Sequence, residues 1–591
     1  MGPTTSARPR VRWKLYELGE EEKVTSERLA TSLRVHPLVA RLLVRRGICD
    51  TETAGRYLHP KLVDLHDPAL LPGIDACVEK LLDAIRRGRS IVIYGDYDVD
   101  GITASSILWH MMQWCGAKVT TYTPHRLEEG YGLNRSALES FCDSGREAPV
   151  VISVDCGVTA CDEAQFARSL GIDLIITDHH EFDVDQPPEA CAVVHPRWPG
   201  SQYPFGMLCG AGVALKVAWA LARAHCGTTR LPDPCRLLLL DLLSLASLGT
   251  VADVVPLVDE NRALTSYGLG HIKGTSIAGL NALIDASNLR DEKISAYHVG
   301  FVLGPRLNAC GRMGHAGRAV HLLTEAGAEE AAEIAKFLKE QNDQRRTIER
   351  RMHEEACQKI ESAGYDDEAC RVIVLEDGGW HAGVLGIVAS RLTEKFHRPV
   401  VMLSVEDGRV QGSARSVAGV SILEAFASCE PLLDNFGGHA MAAGVRFRAE
   451  NIGAFRDGLL KYVNERLAPD DLVATVNIDA ICALRELEIP LLDEIERLAP
   501  FGRDNPAPVL AVVGVRLDGP PKRVGADGSH LRVLLRDGTA GHAAIGFGLG
   551  DLAPNFASGD RVDVAFEPKT SRWQGRRQME LRIKAIRKTE G

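Results

Sequence analysis

The sequence predicts an α/β protein built from several domains, and three observations support this fold class. At 591 residues the chain is too long for one hydrophobic core. Between about residues 64 and 195, short apolar runs alternate with segments of helical spacing, which is typical of βαβ units and a mostly parallel sheet. After about residue 469 the apolar runs alternate with turns rich in Gly, Asp and Pro, which indicates a small β-barrel or β-sandwich.

Composition limits the class of protein. Charged residues make up 25% and hydrophobic residues 45% of the chain, as in ordinary soluble proteins, and a net charge of -11 argues against a generally basic coat for nucleic acid. The fifteen cysteines form no CxxC pair, which favours reduced thiols over a disulfide framework or a zinc ribbon. The N-terminus lacks an apolar signal core and no apolar run reaches spanning length, so we expect a cytoplasmic protein without a membrane partner.

An acidic turn follows the first strand of the predicted sheet. The buried strand Ile91–Gly95 is followed by Asp96, Asp98 and Asp100, and then by a segment of helical spacing. Ligands of open α/β sheets lie at the carboxyl ends of the strands, which is where these three side chains are expected. Three neighbouring carboxylates repel one another unless a cation neutralises them, although a solvated acidic turn remains the alternative at this point.

Later elements end in the same way. Asp155 follows the predicted strand Val150–Val154, His179 and His180 follow Leu174–Thr177, and Asp253 follows a long apolar helical stretch. Because the carboxyl ends of parallel strands form one edge, we expect these side chains to meet there. Carboxylates with imidazole suit Mn²⁺ or Mg²⁺, and a cluster this acidic can hold two ions about 4 Å apart, the geometry of phosphodiester hydrolysis.

The motifs together resemble a known superfamily. DYDVDG at Asp96, VDCG at Val154, TDHH at Thr177 and GTVADVVPL at Gly249 resemble successive motifs of the DHH phosphoesterases, and GGHAMAAG at Gly437–Gly444 resembles the companion DHHA1 domain. Their order, the long helix and the C-terminal β domain resemble the RecJ family of single-strand-specific 5′→3′ DNA exonucleases. The expected domains are an N-terminal segment 1–60, a DHH domain 61–324, a connecting helix 325–364, a DHHA1 domain 365–468 and an OB-fold domain 469–591.

The resemblance implies roles for the acidic and histidine residues. His180 would stabilise charge on the phosphate, Asp178 would orient its neighbours, and Asp96 would either ligate a metal or orient a ligand. The other acidic and histidine residues of these motifs would hold two Mn²⁺ or Mg²⁺ ions. They are Asp98, Asp100, Asp155, His179 and Asp253.

The resemblance also implies contacts to DNA, in place of the surface salt bridges that each motif alone would suggest. Arg126 would touch the strand, and Arg312, with Arg306 as the runner-up, would bind the scissile phosphate from a glycine-broken loop. Further residues would hold the 5′ end and complete the DHHA1 side, and they are Ser413, Arg415, Gly437, Gly438 and His439.

Three stretches remain more open. The basic C-terminus around Trp573 fits single-strand binding by charge and stacking, but equally a basic surface with one buried tryptophan. Trp380 could stack on a base or pack in a core, and the arginine run 345–351 is expected to be a solvated face. Asp504 stands where the family's PFGxGNP motif often has glycine, which puts the local turn in doubt.

The implied function is a metal-dependent exonuclease that degrades single-stranded DNA 5′→3′ to mononucleotides in recombination and repair. Its expected partners are a single-strand-binding protein and a DNA helicase, and its expected state is a monomer. One alternative is a phosphodiesterase or pyrophosphatase for small substrates, against which the domain beyond Pro469 argues. The other is a catalytically inactive scaffold that only binds DNA or protein, against which the complete acidic motifs argue.

Overall fold

A computed structural model describes residues 11–125, 129–130, 132–142, 147–312, 316–365, 370–538, 540–573 and 576–589. The side chains of Arg312, Arg572, Trp573 and Arg576 lie outside this description. The chain divides into two compact units, the larger one comprising Glu20–Asn342 and Asp493–Ala507. The smaller unit comprises Met1–Gly19, Asp343–Leu492 and Pro508–Gly591.

The larger unit contains a parallel five-stranded sheet. Its strands are almost wholly apolar, because helices cover both faces of such a sheet. In spatial order the strands are Lys118–Tyr122, Ser90–Gly95, Val150–Val154, Asp173–Thr177 and Ala192–Val194. This arrangement confirms the mostly parallel sheet that the sequence predicts.

Helices make up the rest of the larger unit. The helices of eight residues or more are Glu20–Leu33, Pro37–Arg45, Thr51–Leu58, Ile74–Arg87, Val99–Trp114, Cys161–Ser169, Gly210–Cys226, Asp233–Ala252, Asp259–His271, Ala278–Ala286, Gly304–Arg312 and Ala316–Leu323. Shorter α-helices are Arg135–Ser140 and Ala296–His298, and Val299–Leu303 is a π-helical turn.

One helix of the larger unit corrects an expectation about membrane segments. Among the described residues, Asp233–Ala252 alone is long and apolar enough to cross a membrane, whereas the sequence was expected to contain no such run. Within this helix 61% of the apolar window is buried, which is the pattern of a core helix. It packs with the helices Val99–Trp114 and Gly210–Cys226 in one hydrophobic cluster.

The helix Ala328–Ala363 includes the boundary between the two units at Asn342. It matches the predicted connecting helix, which also lacks proline. The arginine run in it is not wholly solvated as expected, since Arg345 is largely buried and pairs with the buried Glu349 at 3.0 Å. Arg346, Arg350 and Arg351 are exposed.

The smaller unit contains a mixed five-stranded sheet. Its spatial order is Asn435–His439, Ala442–Arg448, Arg409–Arg415, Val400–Glu406 and Ile373–Asp377, with only the last pair parallel. The helices that pack near it are Leu385–Phe396, Ile422–Ala427 and Ile452–Asn464. Trp380 is 3% exposed and its Nε1 donates to Glu355, so this tryptophan packs in a core.

The C-terminal strands form the predicted OB-type sheet. Hydrogen bonding runs through five strands and returns to the first, in the order Leu510–Leu517, Arg561–Trp573, Arg576–Lys588, Ala540–Gly546 and His530–Asp537. Ala480–Ile481 and Lys522–Val524 extend this sheet, and Arg12–Leu15 pairs in parallel with Thr475–Ile478.

The helix Ile489–Glu496 leads into a segment that folds with the larger unit, Asp493–Ala507. This segment contains the motif in which Asp504 replaces a glycine. Asp504 adopts φ +57°, a left-handed conformation that aspartate tolerates better than most residues. Gly502 and Asn505 form a backbone bridge around it, so the turn forms despite the substitution.

Candidate metal centre

Asp96 and Asp98 follow the strand Ser90–Gly95 in the larger unit. Asp98 caps the next helix, and its Oδ1 accepts hydrogen bonds from the backbone N–H groups of Asp100 at 2.9 Å and Gly101 at 3.1 Å. Gly101 lies against the preceding turn, because a Cβ there would be 2.5 Å from the backbone oxygen of Asp96. Glycine at this position therefore allows the tight turn that carries the first carboxylates.

Asp100 is held by a second helix. Its side chain is buried, and its two oxygens accept the backbone N–H groups of Gly210 at 2.6 Å and Ala211 at 2.9 Å. These residues begin the helix Gly210–Cys226, whose positive end favours a carboxylate. A Cβ at Gly249 would lie 2.5 Å from Asp100 Oδ1, so glycine is needed there for the carboxylate to fit.

Asp155 and His179 bring neighbouring strand ends together. Asp155 is buried with φ +60°, and its backbone N–H donates to the carbonyl of Thr177 at 3.0 Å. His179 Nε2 lies 3.1 Å from Asp155 Oδ1 and 3.7 Å from Asp100 Oδ2 and from Asp253 Oδ2. One imidazole nitrogen thus faces three carboxylates that come from three different elements of the chain.

Asp178 anchors the histidine pair. Its Oδ1 accepts the backbone N–H of His179 at 2.7 Å and lies 2.7 Å from His180 Nδ1, and its Oδ2 accepts the N–H of Val158 at 2.9 Å. Burial would raise the pKa of Asp178, but the hydrogen bond and charge of His180 lower it to about 2. Burial would lower the pKa of His180, but Asp178 raises it to about 9. This pair is therefore ionised at neutral pH.

Three other carboxyl groups of the cluster, those of Asp98, Asp155 and Asp253, have pKa values shifted in the opposite direction. Burial, reinforced by the charge of Asp100, raises the pKa of Asp98, of Asp155 and of Asp253, the last to about 8. Burial also lowers the pKa of His179 to about 4, so this imidazole is neutral at pH 7. Raised carboxylate pKa values mean that the negative charges are poorly compensated by the chain itself. A bound cation would supply the missing compensation.

Among the residues that the structure describes, three overlapping groups of side chains have ligand atoms within 4.8 Å of one another. They are Asp155 with His179 and His180, Asp100 with His179 and Asp253, and Asp96 with Asp98 and Asp155. Carboxylate oxygens with neutral imidazole form the donor set that Mn²⁺ and Mg²⁺ accept. The residues present therefore fit divalent metal.

The helix Gly304–Arg312 lies against the acidic turn. Asn308 Oδ1 accepts the backbone N–H of Val99 at 3.0 Å, and a Cβ at Gly311 would be 2.6 Å from the carbonyl of Tyr97. The predicted glycine-broken loop is thus wrong, because the π-helical turn before it continues into a regular helix. Proline is compatible with the first turn of such a helix.

Both arginines expected near the scissile phosphate, Arg306 and Arg312, belong to this helix. The backbone of Arg312 ends the helix beside the acidic turn, and its side chain lies outside the description. Arg306 Nη1 donates to the carbonyl of Val302 at 2.6 Å, in the preceding π-helical turn. Arg126 lies outside the described residues, as does the side chain of Trp573.

A second cluster lies in the smaller unit. The strand register places Ser413, Gly444 and Gly437 side by side across three strands. Arg415 and His439 form the next row, two residues along, and therefore lie on the same face. The structure thus brings together four of the five residues that the DHHA1 motifs suggested, from strands far apart in sequence.

The start of the helix Leu385–Phe396 meets this face. A Cβ at Gly386 would be 2.9 Å from Ser413 Oγ and from Arg415 Nη2. A Cβ at Gly437 would meet no atom within 4 Å, so this part of the face is open. A helix N-terminus beside a serine hydroxyl and a guanidinium suits a phosphate group. Gly438, with φ +141°, serves the backbone instead, since a Cβ there would be 2.4 Å from the carbonyl of Ala442.

Sequence reasoning missed the groups that hold the acidic residues in place. Gly210, Ala211 and Asn308 act through backbone or amide contacts, which leave little trace in one sequence. The available signals were Gly210 at the start of one apolar helix and Gly249 inside another, since a glycine in an apolar helix often marks a close approach.

Family models match three parts of this chain. The DHH family, N-terminal domain, matches residues 90–247, the DHHA1 domain matches 370–465, and the RecJ OB domain matches 478–585. The acidic cluster lies at the sheet of the first match and in the helix end just beyond it. Fold and site thus define a metal-dependent phosphoesterase of the DHH class.

Relatives over the whole length give the family. The single-stranded-DNA-specific exonuclease RecJ of Bacillus subtilis is 37% identical over 577 residues, covering 97% of this chain and 70% of the relative. That of Thermus thermophilus is 33% identical over 588 residues, covering 99% and 80%. The crystal structure of Thermus thermophilus RecJ with Mn²⁺ superposes with a TM-score of 0.81 at 32% identity, covering 98% of this chain and 80% of that one. This chain belongs to the RecJ family.

Proposed function

We infer that this chain is a metal-dependent exonuclease that degrades single-stranded DNA from the 5′ end to mononucleotides, in DNA recombination and repair. The observation that carries the inference is the cluster of buried carboxylates and neutral imidazole, in a chain whose relatives are named single-stranded-DNA-specific exonucleases. Solved RecJ structures hold Mn²⁺ or Mg²⁺, which agrees with the donor set of this cluster.

The proposed ligands of two metal ions are Asp98, Asp100, Asp155, His179 and Asp253, and Asp96 lies within reach of the same cluster. Bound Mn²⁺ or Mg²⁺ would supply a water of lowered pKa and neutralise charge on the scissile phosphate. The chain itself fixes the ligands, because helix N–H groups hold Asp100 and Asp98 while Asp178 orients the histidines.

His180 is proposed to stabilise negative charge on the phosphate. In the metal-free protein Asp178 raises the pKa of His180 to about 9 against the effect of burial, and the contact of 2.7 Å between Asp178 Oδ1 and His180 Nδ1 holds the imidazole beside the acidic cluster. Arg312 is proposed to add a second cation, with Arg306 as the runner-up. The position of the Arg312 backbone beside the acidic turn supports that order.

The 5′ end is proposed to bind on the second cluster. Ser413 and Arg415 would hold a terminal phosphate at the helix start, and Gly437, Gly438 and His439 would complete this face. Binding of the terminal phosphate would select a strand end as the substrate, which would explain an exonuclease rather than an endonuclease. Arg126 and Trp573 are proposed to contact the strand further along, the latter in the OB-type domain.

The proposed domains are the N-terminal segment 1–60, the DHH domain 61–324, the connecting helix 325–364, the DHHA1 domain 365–468 and the OB-fold domain 469–591. We also propose that the enzyme acts as a cytoplasmic monomer with a single-strand-binding protein and a DNA helicase, because a nuclease confined to single strands needs a partner that exposes them.

Polarity and product size test this proposal. A single strand labelled at its 5′ end should release the label as mononucleotide at the start of the reaction. The same strand labelled at its 3′ end should give progressively shorter labelled fragments, and labelled mononucleotide should appear last. Removing the 5′ phosphate should slow the reaction, and a duplex without single-stranded ends should resist it. Degradation from the 3′ end, or a strong preference for dinucleotides over long strands, would contradict the proposal.

A further inference from the structure

A buried asparagine organises the loop that follows the helix Ile489–Glu496, in the segment that folds with the larger unit. The side chain of Asn505 donates to the carbonyls of Leu498 at 2.9 Å and Pro500 at 2.7 Å. Its oxygen accepts from Arg46 Nε at 3.0 Å and from the Tyr57 hydroxyl at 2.6 Å. Every hydrogen-bonding group of this amide is thus engaged, which fixes the loop.

A buried arginine reinforces the same loop. Arg262 is 2% exposed, and its guanidinium donates to the carbonyls of Leu498 at 2.8 Å, Arg497 at 2.9 Å and Tyr57 at 2.9 Å. It also lies 3.8 Å from the centre of the Tyr57 ring. Residues from the N-terminal helices and the core of the larger unit therefore clamp a segment that is remote in sequence.

The clamped loop presents Arg503 beside Asp253. The carbonyl of Arg503 accepts the N–H of Leu257 at 2.9 Å, and its Nη1 lies 3.4 Å from the carbonyl of Val254. Val254 has φ +59°, a strained conformation for a β-branched residue, directly after Asp253. The contacts from this loop thus fall on the turn that follows a proposed metal ligand.

The charge and exposure of Arg503 suit a phosphate. The guanidinium is exposed, and its contact to Val254 uses one of five N–H donors. Its contacts to Val254 and Leu257 place the positive charge of Arg503 next to the turn that follows Asp253, at the edge of the acidic cluster. A polyanion that approaches so many carboxylates is repelled, and a cation at the edge of the cluster reduces that repulsion.

We propose that Arg503 binds a backbone phosphate of single-stranded DNA at the Asp253 side of the metal centre. Arg46, Tyr57 and Asn505 position it by holding its loop, which gives the N-terminal helices a part in substrate binding. This proposal rests on the exonuclease function proposed above.

The test compares Arg503→Ala and Arg503→Lys with the wild-type full-length enzyme on 5′-phosphorylated single-stranded DNA at saturating Mn²⁺. Arg168→Ala is the control, since Arg168 is an exposed arginine of the same unit that pairs with Glu189 at 3.0 Å. We expect Arg503→Ala to raise KM about tenfold, and to reduce the slope of log binding constant against log salt by about 0.7, the value for one phosphate contact on a single strand.

The kcat and Tm of Arg503→Ala should remain close to those of the wild type. Arg503→Lys should keep the wild-type salt slope of the binding constant and show a smaller rise in KM. Arg168→Ala should match the wild type in all four quantities. Tyr57→Phe, which removes one contact to Asn505, should raise KM by a smaller factor than Arg503→Ala. An unchanged KM and salt slope in Arg503→Ala would overturn the proposal. A fall in Tm and kcat with an unchanged slope would also overturn it, by assigning Arg503 a structural role. Failure of the exonuclease proposal itself would be visible in the wild type.

Discussion

The two clusters of this protein handle charge in opposite ways. In the larger unit, buried carboxylates are crowded until burial and mutual repulsion raise the pKa of Asp98, Asp155 and Asp253. In the smaller unit, a serine, an arginine and a histidine share one sheet face with an open glycine and a helix N-terminus. The first cluster needs a cation to complete it, and the second needs an anion.

This difference explains how one chain binds a phosphodiester that carries negative charge. In the proposed function, metal ions would convert the acidic cluster into a site that accepts phosphate, whereas the face with Ser413, Arg415 and Gly437 would accept phosphate through its own donors. Substitutions should therefore affect the two clusters differently. Removing a carboxylate from the first should abolish activity without loss of stability, and removing a donor from the second should weaken binding.

The largest expected effect is that of Asp155→Asn. Activity should fall by about a thousandfold or more, because a proposed metal ligand is lost. The metal-free protein should become more stable in urea unfolding, since its buried carboxylate has a pKa raised well above the ordinary value and asparagine tolerates φ +60°.

Asp178→Asn is the matched control for that change. Its pKa of about 2 reflects hydrogen bonds that stabilise the charged form, so the same substitution should cost about 2 kcal/mol of stability. If Asp155→Asn kept its activity, or if both variants lost stability alike, the contrast between crowded and compensated carboxylates would be wrong.

The next effect is that of Arg415→Ala on the anion-binding face. Losing one arginine–phosphate contact costs about 1–3 kcal/mol, so KM for 5′-phosphorylated strands should rise about tenfold to a hundredfold. The KM for strands with a 5′ hydroxyl should change much less, and Tm should hold. Equal losses on both substrates would place Arg415 elsewhere in DNA binding.

A pH dependence of stability should distinguish the acidic cluster. The pKa of Asp253 is raised to about 8 in the folded protein, so its contribution to stability is full at low pH and is lost as pH rises toward 8. Between pH 6.5 and 8 the metal-free protein should lose about 2 kcal/mol relative to Asp253→Asn. Urea titrations in a chelator would measure this, and added Mn²⁺ should remove the difference. If the metal-free wild type instead became more stable than Asp253→Asn as pH rose, the proposed raised pKa of Asp253 would be wrong.

The smallest effect is expected at the turn where aspartate replaces glycine. Asp504→Gly relieves a left-handed conformation at φ +57° but gives the unfolded chain more freedom. The two effects should cancel to within about 0.5 kcal/mol in urea unfolding, and activity should be unchanged. A loss above about 1 kcal/mol would show that the aspartate side chain itself stabilises this loop.

The sequence predicted those parts of the site that consist of strand ends and acidic motifs. Asp155 and His179 could be predicted to lie close together, because apolar runs indicate the strands and the carboxyl ends of parallel strands share one edge of the sheet. The long helix and the OB-type strands were also predicted from the sequence, whereas the short strands at the edges of the OB-type sheet were not. The DNA contacts of Arg126, Arg312 and Trp573 remain predictions.

Contacts between distant segments could not be predicted. Nothing in the local pattern indicates that the start of the helix Gly210–Cys226 would cap Asp100, or that Asn505 would join Arg46 and Tyr57. Such contacts depend on tertiary packing, which overrides local propensity. The helix Gly304–Arg312 was mistaken for a loop for the same reason, since Gly311 allows close approach to the acidic turn rather than breaking the helix.

The most direct test of the metal centre is anomalous diffraction from crystals of this protein grown with Mn²⁺. We predict two manganese peaks about 4 Å apart, bounded by the carboxylates of Asp98, Asp100, Asp155 and Asp253 and by Nε2 of His179. Manganese found away from these side chains, or no manganese bound among them, would contradict the account.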